Sequence, residues 1–206
     1  MYLSRIPTII KWFFPSSLLW KVTTHKKEIY LTFDDGPVPE VTPWVLDILD
    51  RYNAKATFFM VGENAAKYPE LVKEIQNRGH AIGNHSYNHI KGWKVSDNEY
   101  YGNIIKAEKN ISSLLFRPPH GQIRPRQARH LSKKYQIVMW TILSGDYDPK
   151  KTPEECFNNV KKNLKPGSII VFHDSLKANK NMKTALEESL KFLVENGWGF
   201  GKIAVV

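Results

Sequence analysis

Two adjacent carboxylates, Asp34 and Asp35, stand before Gly36-Pro37, and two imidazoles, His85 and His89, are separated by Ser-Tyr-Asn. Neighbouring carboxylates at the end of a buried strand repel each other unless a cation or an arginine compensates them. A cation held by Asp35, His85 and His89 answers that repulsion. Two nitrogens and one oxygen make a facial set with positions left open for water and substrate, as a catalytic zinc site requires. Taken singly, each group has a plainer reading: the aspartates as turn residues, the histidines as surface residues near a turn. Ser86 stands where a HExxH metalloprotease needs its glutamate, which removes that chemistry. Arg117, before two prolines, is an ion-pair partner best used by Asp34. His173 reads either as a satisfied core histidine or, with Asp174 behind it, as an exposed strand terminus.

The elements that must position these groups alternate in type. Residues 28–33 and 56–61 read as strands. Between them Val41, Trp44, Val45, Ile48, Leu49 and Tyr52 fall on one helical face. A helix over 68–79 is stopped by Gly79, and 80–84 is a strand. Ser96 and Glu99 form a capping box that opens a helix to about residue 114. A short strand at 115–116 precedes Arg117. Helices at 125–135, 152–164 and 182–197 then alternate with strands at 136–143, 168–172 and 200–206. Continuous βα alternation argues for one domain with a parallel sheet covered by helices. About seven strands suit a compressed barrel better than a full eight-unit one of ~250 residues, with a doubly wound open sheet as the alternative. Asp34-Asp35, His85-His89, Arg117, Asp146 and His173 all lie at or past the C-terminal ends of strands. In parallel α/β folds that edge is where sites assemble.

With 206 residues the chain is long enough for one core without staples. A single cysteine, Cys156, excludes a disulfide scaffold and a cysteine-based zinc site. The net charge of +10 fits an acidic partner or a lysine-rich surface equally. The basic–aromatic interleaving of a nucleic-acid binder is not found, so no nucleic-acid partner is expected. The glycines at 197–201 have neither phosphate-loop spacing, and no GxSxG elbow exists. Residues 1–27 form an N-terminal hydrophobic arm. Lys11 and Pro15 interrupt its apolar runs, so neither a cleavable signal peptide nor a spanning helix is evident, which by default puts the protein in the cytoplasm or at a membrane periphery. Docking of the arm on the barrel, at the end opposite the metal, is the expectation. Membrane association through residues 9–20, which include Trp12, Phe13, Phe14, Leu18, Leu19 and Trp20, is the alternative.

The segments Thr32-Phe-Asp-Asp-Gly-Pro37, His85-Ser-Tyr-Asn-His89, Arg117-Pro-Pro-His-Gly121, Asp146-Tyr147 and Ile170-Val-Phe-His-Asp174 resemble, in order, the five motifs of the NodB-homology polysaccharide deacetylases, carbohydrate esterase family 4. The resemblance spans residues 28–206. It implies a distorted (β/α)7 barrel and one divalent metal, usually Zn2+ with Co2+ or Ni2+ able to substitute, on Asp35, His85 and His89. It further implies Asp34 as catalytic base oriented by Arg117, His173 as general acid held by Asp146, and the His120 backbone N–H at the oxyanion. Three positions depart from the pattern: His120 where the family usually has Tyr, Tyr147 where Trp is usual, and Val171 where a leucine commonly lines the acetyl pocket. The implied activity is removal of N-linked acetyl groups from amino sugars of an acetylated carbohydrate such as peptidoglycan or a chitin-like polymer. An O-acetyl xylan esterase and a deacylase of lipid- or nucleotide-linked amino sugars are the rival readings.

Overall fold

The computed structural model describes residues 14–205. Its first strand, β1 (Glu28–Asp34), shows how sequence alternation builds the site. Successive side chains of a strand point to opposite faces. Ile29, Leu31 and Phe33 lie in the cluster beneath the helices, whereas Tyr30 packs with Phe59, Leu115, Val138 and Ile169 in a separate cluster. Thr32 and Asp34 follow Tyr30 on that second face, so the parity of β1 sends Asp34 toward the interior of the curled sheet.

The remaining elements are α1 (Thr42–Arg51), β2 (Ala56–Met60), α2 (Gly62–Lys67), α3 (Pro69–Asn77), β3 (Ala81–Asn84), α4 (Asp97–Glu108) and β4 (Leu115–Phe116). They continue with α5 (Pro125–Leu131), β5 (Gln136–Ile137), β6 (Ile142–Leu143), α6 (Pro153–Lys161), β7 (Ile169–His173), α7 (Asn179–Glu195) and β8 (Gly199–Phe200). Every described strand pair is parallel, in the order β5-β4-β3-β2-β1-β7-β6, with β8 added to the start of β1. Strand numbers run cyclically in that list, without the reversal a doubly wound sheet would show. The architecture is therefore the distorted (β/α)7-type barrel expected. Phe33 anchors the layer between sheet and helices, stacked at 4.9 Å from Phe58 and 6.2 Å from Phe172. Burying each such ring is worth about 1.5–3 kcal/mol.

Several boundaries differ from the sequence expectation. The Ser96 cap is present, accepting the Glu99 N–H at 3.3 Å, but its helix stops at Glu108. The short helix α2 was not anticipated, and among the described residues 200–205 only Phe200 is in a strand. The apolar run 136–143 is not one strand. It bonds to β4 through β5 and to β7 through β6, so it is the stretch that carries the chain across the open side of the barrel.

The described part of the N-terminal arm fills that seam. Leu19 donates to the Ile137 carbonyl and accepts from the Met139 N–H, both at 2.8 Å, in a parallel bridge with Val138. Val22 then donates to the Gly167 carbonyl at 3.0 Å. Leu18 is buried with Leu131, Tyr135 and Met139, with Phe14 and Trp20 packed against the same cluster. Trp12 and Phe13 lie outside the described residues. Among the described residues no helix is long and apolar enough to cross a membrane. Leu18→Ala should lower unfolding free energy by about 2–5 kcal/mol, the range for a truncated core leucine. Urea denaturation followed by tryptophan fluorescence measures it; an unchanged midpoint would show that the arm does not stabilise the barrel.

Candidate active site

Asp34 ends β1 with its side chain buried in the barrel mouth, and Arg117, fully buried just past β4, meets it. The guanidinium Nη1 donates to Asp34 Oδ1 and to Thr32 Oγ1, each at 2.7 Å. Its Nε donates to the Val138 carbonyl at 3.2 Å and Nη2 to the Met139 carbonyl at 3.1 Å. The group also lies over the Phe59 ring at 4.1 Å. Burial pulls the Arg117 pKa below its ordinary value, opposed by the Asp34 charge. The pairing expected from sequence is present.

Asp35, His85 and His89 converge, with one ligand atom from each lying within 4.8 Å of the others. His85 is buried, and its Nδ1 contacts the Arg117 carbonyl at 2.8 Å. A carbonyl can only accept, so Nδ1 carries the proton and Nε2 keeps its lone pair for a cation. Burial first, against the pull of Asp34, pushes the His85 pKa down to about 4, which keeps the ring neutral. Asp35 Oδ1 is buried without a hydrogen-bond partner although it lies 3.1 Å from His89 Nε2 and 3.7 Å from His85 Nε2. Burial would raise the Asp35 pKa, but the contact with His89 and the charge of His173 hold it well below the usual carboxylate range. An orphaned carboxylate oxygen facing two imidazole nitrogens fits a divalent cation. The histidine segment is a loop, with Ser86 and His89 at φ 63° and 58°. Asn84 Oδ1 accepts the Ser86 N–H and Asn103 Oδ1 the Tyr87 N–H, each at 2.8 Å.

The parallel register pairs Asp34 with His173 on β7. Asp146 accepts from the His173 backbone N–H through Oδ2 and contacts His173 Nδ1 through Oδ1, both at 2.8 Å. Burial works against a charged His173, but Asp146 overrides it and lifts the pKa to about 9. The ring is thus an imidazolium at neutral pH, with Nδ1–H committed to Asp146. Asp174 corrects the exposed terminus expected from sequence. It is 1% exposed and accepts the Gly36 N–H and the Thr42 hydroxyl. Burial pushes its carboxyl up to about 8, against the hydrogen bond from Thr42.

Asp34, Asp35, His85, His89, His120, Tyr147, Val171 and His173 share one cavity of about 440 Å³, completed by Pro118, Gly121, Trp140, Leu143 and Lys177. Every site residue expected from sequence lines it except Arg117 and Asp146, which act from behind it on Asp34 and His173. The His120 ring lies 4.5 Å from that of His89, and burial with the nearby His89 pushes its pKa down to about 4. Tyr147 packs edge-on to His173 at 5.0 Å. The sequence reading missed Trp140, Leu143 and Lys177 as lining. It also missed the buried Asn181, whose amide donates to the Asp148 and Lys151 carbonyls at 3.1 Å and fixes the loop after Asp146.

The family described as polysaccharide deacetylase matches residues 21–140. A peptidoglycan-N-acetylglucosamine deacetylase of Bacillus cereus is 42% identical over 73% of this chain, which spans 57% of that relative's length. A second one from the same organism is 38% identical over 88% of both chains. The solved Bc1960 peptidoglycan N-acetylglucosamine deacetylase superposes with a TM-score of 0.87 at 34% identity, covering 96% of this chain and 95% of that one.

Breaking a buried ion pair from one side costs about 3–5 kcal/mol, because the remaining charge is left uncompensated. Arg117→Met should therefore destabilise the protein by that amount in urea unfolding, and adding Asp34→Asn should recover part of the loss. A single-variant loss below ~1 kcal/mol, as for a surface pair, would contradict the assignment.

Proposed function

The chain belongs to the polysaccharide deacetylase family, and on that premise we propose that it hydrolyses the N-acetyl group of amino sugars in a polysaccharide, releasing acetate and a free amine. Peptidoglycan is the polymer favoured, since the relatives above carry that name. The observation that carries the reading is one cavity holding a cation-binding trio, an arginine-paired carboxylate and an imidazolium.

Asp35, His85 and His89 are the proposed ligands and Zn2+ the proposed ion, with Co2+ or Ni2+ as substitutes, since two imidazoles and a carboxylate suit a borderline ion. When bound, such an ion polarises an acyl oxygen and acidifies water. Asp34, held in place by Arg117, takes the proton of the attacking water. The His120 backbone N–H is the proposed donor to the developing oxyanion. His173 gives its outer Nε2 proton to the departing amine, which leaves poorly without it. Tyr147, Leu143 and Val171 supply an apolar wall for the methyl group.

The experiment is acetate release from peptidoglycan, chitooligosaccharides and acetylated xylan, with and without chelator, alongside metal analysis. Release from the amide substrates that chelator abolishes is expected; release from xylan alone would overturn the proposal. Asp34→Asn should retain metal while turnover falls about 10²–10⁴-fold, the usual cost of losing a general base. His85→Ala should lose the metal as well.

Activity should follow a bell-shaped pH profile, with the alkaline limb set by His173. Its raised pKa of about 9 means the active cation persists below that value and is lost as pH rises through it. In Asp146→Asn the supporting charge is gone and burial remains, so the limb should move to lower pH. A limb that stays in place would remove His173 from the acid role.

A further inference from the structure

Asp35 sits at φ 81°, a backbone region that residues with a side chain rarely occupy. Something must hold it there. Asn64 Nδ2 donates to the Asp35 carbonyl at 2.9 Å. The next residue, Gly36, donates its N–H to Asp174 Oδ1 at 3.1 Å, and its carbonyl accepts from the Val61 N–H at 2.9 Å. Thr42 Oγ1 donates to Asp174 Oδ2 at 2.6 Å and accepts the Val38 N–H at 2.8 Å. The Asp174 N–H in turn donates to the Asp34 carbonyl at 3.1 Å. A Cβ on Gly36 would stand 2.0 Å from Asp174 Oδ2, so only glycine permits this approach.

Burying a carboxyl group is unfavourable unless it is hydrogen-bonded. Asp174 has no ion-pair partner among the described residues, and both its oxygens accept from the segment running from Gly36 to Thr42. We propose that Asp174, acting through Thr42 and the Gly36 N–H and opposite Asn64, is a positioning residue that fixes Asp35 in the conformation that ligates the cation. The proposal rests on the metal reading above. Outer partners of metal ligands typically contribute 10–100-fold in affinity.

The test measures Zn2+ affinity of chelator-stripped protein by competition with a chromophoric chelator, with thermal melting of the zinc-free protein in parallel. Asp174→Ala should weaken zinc binding by about 10–100-fold. Thr42→Val, which removes only the hydroxyl, should weaken it less. Asp174→Asn, which keeps an oxygen for the Gly36 N–H, should stay nearer wild type than either. A role limited to general stability would lower melting and leave the zinc affinity of the folded protein unchanged. Unchanged affinity in Thr42→Val and Asp174→Ala, with His85→Ala losing zinc, would overturn the positioning role alone. Should Asp174→Ala fail to fold, Thr42→Val and Asp174→Asn decide: weakening in the first but not the second supports the role, and wild-type affinity in both overturns it. Zinc held as tightly by His85→Ala as by wild type would overturn the metal reading and this proposal with it.

Discussion

The site is organised around a buried guanidinium. Arg117 is 0% exposed, so each of its donors must find a partner inside the barrel. Those partners are Thr32 and Asp34 on β1 and the carbonyls of Val138 and Met139 in the closing stretch. The backbone of the same residue donates to the Asn84 carbonyl, and its own carbonyl fixes the tautomer of His85. One residue therefore couples the proposed base, one candidate metal ligand and the closure of the barrel. A lysine could not do this, because its single ammonium lacks the fork that reaches two strands at once.

Around that anchor, two carboxylates of similar burial are given different partners. Asp34 faces a guanidinium. Asp146 faces a histidine, and the result is a proton held to about pH 9 at the edge of the cavity. Pairing titratable groups with unlike neighbours is how a site sets a proposed base, Asp34, apart from a proposed acid, His173. The separation depends on strand register as much as on charge. Asp34 and His173 are partners across β1 and β7, so a slip of one residue in either strand would turn one of them out of the interior.

What could be read from the residues was what leaves a local pattern. Alternation in β1, the 3.6-residue period of α1, the Ser96 cap and polar groups at strand ends each occupy a few consecutive positions. Together with the ordered motifs they placed the fold and most, but not all, of the cavity lining. Less visible were features made by distant backbone. Residues 136–143 have the composition of one strand, and only the tertiary structure divides them between β4 and β7. Asn64, Asn84, Asn103 and Asn181 carry no local signal that sets them apart from other amides. Each instead bonds to backbone outside its own element, and a side chain-to-carbonyl bond across 30 residues, as from Asn181 to Lys151, has no sequence period. Asp174 was misread for the same reason, since its partners lie 132 and 138 residues away.

The distribution of backbone strain bears on how the site works. Five described residues other than glycine have positive φ: Asp35, Asn53, Ser86, His89 and His120. Asn53 is of the type that tolerates this region, in the turn after α1. The other four line the cavity or, as with Ser86, sit inside the histidine loop. Such conformations persist only where surrounding contacts over-determine them. Here those contacts are the Asn64 and Asp174 bonds on one loop and the Asn84 and Asn103 bonds on the other. The strain is thus borne by the folded scaffold. At the proposed site, a cation entering between Asp35, His85 and His89 would meet side-chain atoms that already converge, so its binding would not need to supply the free energy of ordering the loops.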